Sequence, residues 1–134
     1  MLIDNINTLA FSLFELVILL HLKHLICDFI IQTPLIAESK IRYGSINSII
    51  HIIHHAFGTM VVGLIVGLEL GPLLGIIALE ALLHYHIDWV CMKFGAKSYK
   101  DKRYWQWFGI EQFLHNMTII TIVIMTRYFL LSNS

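Results

Sequence analysis

Four apolar runs, at about 9–32, 46–70, 73–93 and 107–131, take up most of this sequence, and each carries a polar pair four residues apart. A helix that crosses a bilayer needs about 20 apolar residues, and every run is long enough. At 134 residues there is room for one domain. Hydrophobic residues make up 57% and charged residues 13%, where a soluble domain carries roughly 25% charged. Too little polar surface remains to keep such a chain dissolved. The expected fold is therefore all-α: an integral membrane, antiparallel four-helix bundle embedded in the lipid bilayer.

Breakers separate the runs. Gln32-Thr33-Pro34 should end the first, because proline restricts the residue before it and cannot continue the helical ladder. Leu70-Gly71-Pro72 reads as a tight turn between the second and third. The start, MLIDNINTLAFS, has neither a basic region nor a small-residue cleavage site, so the first run is expected to persist as a helix. Cys27 and Cys91 fall inside apolar runs and read as small core residues, not as a disulfide. Gly58, Gly63, Gly67 and Gly75 suit close helix packing.

Lys40, Arg42, Lys93, Lys97, Lys100, Lys102 and Arg103 gather in or beside two alternate loops, and only Arg127 lies near the opposite ends. Positive loops stay inside, which places both termini outside the cytoplasm. Net charge is zero. The basic loops then read as topology and lipid-headgroup features, with no nucleic-acid partner. Tyr99, Tyr104, Trp105 and Trp107 read as interfacial anchors.

Threading the runs in alternating directions gathers the polar pairs into one layer in the cytoplasmic half. His24 and Asp28 come late in the first run, and His51 and His55 early in the second. His84 and Asp88 come late in the third, and Glu111 and His115 early in the fourth. Spacing of i, i+4 puts each pair on one helical face. One such pair could be a hydrogen bond between helices, but four at one depth resemble the way bundles build metal sites. Imidazole and carboxylate suit zinc, manganese or iron. Asp28, Asp88 and Glu111 bring three negative charges, which two divalent ions and one hydroxide would neutralise.

Several neighbours stay open. His21 lies on the His24 side as ligand or floor. His54 replaces or supports His55. Glu80 could orient a ligand histidine from behind, and Lys23 snorkels or pairs with Glu15 or Glu80. Gln32 sits at the rim. Lys40 and Lys93 could bind a phosphate-bearing substrate, and His86 faces elsewhere.

The motifs HLICDFIIQ at 24–32, the histidines at 51–55, HYHID at 84–88 with Lys93, and EQFLH at 111–115 resemble a bacterial membrane-protein family catalogued as domain of unknown function 3307. The resemblance covers nearly the whole chain and includes Phe29, Gln32 and Gln112. It departs where the family's usual Asp before Gln112 is Glu111. The layout is also similar to inner-membrane metal-dependent hydrolases, which implies hydrolysis by analogy only.

Three functions follow as expectations. The first is a metal-dependent hydrolase of a lipid-borne or membrane-proximal substrate, using His24, Asp28, Asp88 and Glu111. The second is an ion or proton pathway, or a metal-stabilised subunit without turnover. The third is a haem-binding electron carrier with histidine ligands. A homo-oligomer is compatible with a chain of this size.

Overall fold

The structure, a computed structural model, describes residues 2–132, with side chains described for 13–132. It is all-helical: α1 (Leu2–Leu25), a π-helical turn (Ile26–Ile30), α2 (Pro34–Ser39), α3 (Ile46–Ile65), α4 (Leu70–Phe94) and α5 (Lys102–Ser132). No strand occurs among the described residues. Helix α4 packs against α3 and α5, α1 packs against the same two, and α2 lies on α3.

Local chemistry explains the breaks. At the end of α1 the Ile31 N–H bonds the Ile26 carbonyl at 2.9 Å, a wider turn than an α-helix makes. Thr33 then caps α2, its hydroxyl accepting from the Ile36 N–H at 3.3 Å, with Pro34 in the first helical position, where its missing N–H costs nothing. The Ser39 hydroxyl lies 3.2 Å from that of Ser48, which ties α2 to α3.

The turn between α3 and α4 is displaced from its expected place. It is made by Gly67, whose φ of +76° is open to glycine without penalty. Gly71 and Pro72 instead lie in the first turn of α4, where backbone N–H groups have no helical acceptor and proline is tolerated. At the other end of α4 the Gly95 N–H bonds the Cys91 carbonyl at 2.8 Å. Helix α5 begins at Lys102, five residues before the expected Trp107. Asp101 starts it by accepting from the Arg103 N–H at 2.9 Å. The Arg103 guanidinium, 2.9 Å from the same carboxylate, holds the Asp101 carboxyl below its usual range.

Helices α3, α4 and α5 are each long and apolar enough to cross a membrane. Only 33%, 22% and 28% of the residues in their apolar stretches are buried within the chain, and exposed apolar surface of that extent suits a membrane. Phe57, Leu64, Ile124 and Tyr128 are among the exposed side chains. The expectation that the first run also spans rests partly on Leu9–Ser12, whose side chains lie outside the described residues.

Leu16, Leu20, Val62, Leu68, Leu73, Ile76, Ile119 and Ile122 form one apolar core drawn from α1, α3, α4, α5 and the turn at Gly67. Gly63 is essential to it: a Cβ there would collide with the side chain of Leu73, which is fully buried. Gly63→Ala is expected to cost about 1–3 kcal/mol by overpacking, read as a lower midpoint in a reversible detergent-unfolding titration. Both cysteines are buried and free.

Candidate metal centre

Beside the apolar core the interior turns polar. Buried on α1 are Leu16, Leu20, Lys23 and His24, and the stripe continues through Cys27 and Asp28 in the π turn. Steps of three and four residues keep these positions on one face. Helix α3 adds His51, His55 and Thr59, α4 adds Glu80, His84 and Asp88, and α5 adds His115. All are more than nine-tenths buried. Ionisable groups are expensive there unless paired, and the pairing is extensive.

Asp28 is the hub. Its Oδ1 lies 2.9 Å from His51 Nε2, 3.1 Å from His55 Nε2 and 3.6 Å from His84 Nε2, and its Oδ2 lies 3.1 Å from His24 Nε2. Asp88 forms a second hub. Its Oδ1 is 3.2 Å from His115 Nε2, and its Oδ2 is 2.9 Å from Lys40 Nζ, 3.5 Å from His51 Nε2 and 3.6 Å from His84 Nε2. Between the hubs the Nε2 atoms of His51 and His84 stand 3.3 Å apart.

Two groups could each hold a metal ion: Asp28, His51, His55 and His84, and His84, Asp88 and His115. Within each, all donor atoms lie within 4.8 Å of one another. The spacing can be tested against coordination chemistry. Ligands about 2.0–2.1 Å from a tetrahedral ion stand about 3.3 Å apart. The measured separations among Asp28, His51 and His84, 2.9, 3.3 and 3.6 Å, centre on that edge. Both groups include His84, and its Nε2 can serve one ion only. The His84 ring stands 3.8 Å from that of His55 and 4.1 Å from that of His115, which leaves no space for a macrocycle between either pair.

Other expected site residues lie at or beyond the edge. Glu111 is half-buried and belongs to neither metal group, though it interacts electrostatically with Asp88, Lys40 and His115. Gln112 Oε1 is 3.4 Å from His24 Nε2. Gln32 Oε1 is buried without a partner among the described residues. His21 is exposed, with Nδ1 2.8 Å from the Val17 carbonyl of its own helix; one position past Leu20, it leaves the buried stripe. His54 is half-buried outside the cluster, so the second histidine from α3 is His55. His86 faces outward to the Tyr43 hydroxyl at 3.2 Å. Lys93 is exposed, its ammonium 4.5 Å from the centroid of Trp89.

Among the described residues two lysines are buried. Lys40, expected near a surface, is buried on Asp88. Lys23, expected to snorkel or to pair with Glu15 or Glu80, makes the second of those pairings. It pairs with Glu80, whose other oxygen accepts from the Thr59 hydroxyl, and its Nζ lies 3.2 Å from His55 Nδ1. Glu80 therefore reaches a histidine through Lys23 and not directly. The signal for Lys23 was present in the sequence, since Leu16 and Leu20 put it on the same stripe as His24.

No curated protein and no solved structure matches the chain. A family model matches residues 16–134, a stretch that takes in both hubs and every histidine bonded to them. The chain belongs to the family described as a protein of unknown function (DUF3307).

Proposed function

We propose that this protein is a membrane-embedded, metal-dependent hydrolase acting on a lipid-borne or membrane-proximal substrate. The reading places the centre in the cytoplasmic half of an antiparallel four-helix bundle, with both termini outside the cytoplasm of a bacterial inner membrane. One observation carries it: the Nε2 atoms of His51, His55 and His84 converge on a single oxygen of Asp28 at 2.9–3.6 Å. Nitrogen-rich ligands with one carboxylate suit zinc, with manganese and iron as the other candidates.

Charge favours one ion over the two that the carboxylates alone suggest. Asp28, Asp88 and Glu111 are joined by the buried ammonium of Lys40, while Lys23 and Glu80 cancel each other. The net of minus two matches a single divalent ion. Lys40 also sits directly on Asp88 Oδ2, and its positive charge there opposes a second cation in the Asp88 group.

Bound in this centre, a divalent ion would acidify water and polarise a carbonyl or phosphoryl oxygen. The chain's own groups supply the rest. Asp88 is placed beside His51 and His84 to receive a proton released between them, and Lys40 fixes its orientation. His24, held between Asp28 Oδ2 and Gln112, braces the carboxylate from α1. The surrounding apolar helices exclude bulk water.

Protein purified in detergent and analysed for elements should carry about one transition-metal ion per chain. Its hydrolysis of ester and phosphoester lipids in mixed micelles should be lost on chelation and restored by the ion. A preparation that neither retains nor takes up a metal would sink the proposal.

A second reading has its own observation: Thr59, Glu80, Lys23, His55 and Asp28 form a continuous buried hydrogen-bonded chain. Such chains can relay protons. Proton flux into proteoliposomes that disappears in Asp28→Ala would favour it; unchanged flux would exclude it.

A further inference from the structure

The donor group around Asp28 contains four residues, and a fully closed set of four is the mark of a structural ion, whereas a catalytic one keeps a position open. The chain itself distinguishes these through the group behind His55. Lys23 Nζ lies 3.2 Å from His55 Nδ1. An ammonium has donors only, so His55 Nδ1 must accept. A neutral imidazole that accepts at Nδ1 carries its proton on Nε2. That Nε2–H then donates to Asp28 Oδ1 at 3.1 Å, and its lone pair is unavailable to a metal.

Lys23 is in turn paired with Glu80, whose Oε1 faces the ammonium and whose Oε2 accepts from the Thr59 hydroxyl. Lys23, Thr59 and Glu80 are all buried, so water does not compete for these bonds. The backbone makes room for the arrangement: a Cβ at Gly58 would collide with Cγ and Cδ of Lys23. Nothing comparable constrains His51, whose Nδ1 is buried without a partner among the described residues.

We infer that Lys23, held by Glu80 and Thr59, locks His55 as a hydrogen-bond donor to Asp28, so that His55 positions the carboxylate while Asp28, His51 and His84 bind the ion and leave a coordination position open. This rests on the metal-centre reading proposed above. Lys23 and His55 are positioning residues. Their effect is to turn a site that could be closed by four donors into one that can admit water or a substrate oxygen.

The test uses the full chain in nanodiscs, first without metal and then loaded with zinc. In the metal-free protein, nitrogen-15 spectra of labelled histidine should show His55 unprotonated at Nδ1 and protonated at Nε2. X-ray absorption of the zinc-loaded protein should count two imidazoles, unchanged in His55→Ala. In Lys23→Met, and in Gly58→Ala, which displaces the lysine without touching a ligand, the count should rise to three. A count of three in the unmodified protein, or a proton on His55 Nδ1, overturns the inference. If no zinc binds at all the metal-centre reading falls, and the metal-free spectrum still decides whether Lys23 locks His55. If His55→Ala fails to fold, the unmodified protein's imidazole count and spectrum carry the decision.

Discussion

Asp28→Ala is expected to release the ion completely and to destabilise the metal-free fold by about 3–5 kcal/mol, the usual cost of deleting one partner from a buried charged network. Among the described residues Asp28 is the only carboxylate that meets histidines from α1, α3 and α4 together. Removing it takes the acceptor from His55 Nε2 and leaves His51 Nε2 only the longer approach to Asp88 Oδ2, and a buried donor without an acceptor costs about 1–3 kcal/mol. Asp28→Asn separates charge from shape. It keeps the volume and one carbonyl acceptor, so most of the fold stability should survive while the anionic ligand is lost. Elemental analysis and detergent-unfolding midpoints, measured on both variants, check the two effects separately. An Asp28→Asn protein that keeps a stoichiometric ion would move the metal from the first hub to Asp88.

The sequence made the first hub legible because its residues follow a simple rule. His24 with Asp28, His51 with His55, and His84 with Asp88 are i, i+4 pairs in apolar runs, and such pairs stack on one face. Polarity in an apolar run is conspicuous, and burial then brings the faces together. Glu111 shows the limit of that rule. It shares spacing with His115, yet only His115 joins a hub, because the direction of a side chain depends on how α5 is rotated and the spacing does not contain that angle. Lys40 was hidden for another reason. Long cationic side chains next to an apolar run usually reach for water, and only the packed structure shows it turned inward to Asp88; Lys23 was less hidden, since Glu80 was already one of its two expected partners. The turn at Gly67 was masked by the stronger punctuation of Gly71-Pro72, which α4 absorbs in a first turn that lacks hydrogen-bond acceptors anyway. The π turn around Asp28 has no sequence signature at all.

Lys40→Met should have the second-largest effect, and its sign depends on the metal supply. Lys40 follows α2, which is tied to α3 through Ser39 and Ser48, and its ammonium lies 2.9 Å from Asp88 Oδ2. Taking the ammonium away leaves a buried carboxylate short of one positive charge, a loss of about 3–5 kcal/mol in metal-poor buffer. The double variant Lys40→Met, Asp88→Asn removes both charges and should recover most of that loss, since a buried pair replaced as a unit is often neutral. In excess zinc the single variant has another route to neutrality. Asp88, freed at Oδ2, lies with His115 in the second potential metal group, with Glu111 nearby, and a second, weaker ion should enter there. Titration by isothermal calorimetry should then show two sites in Lys40→Met and one in the unmodified protein. A Lys40→Met protein as stable as its parent, with one site at every zinc concentration, would mean that the lysine plays no part in neutralising the centre. The argument for a single ion would fail with it.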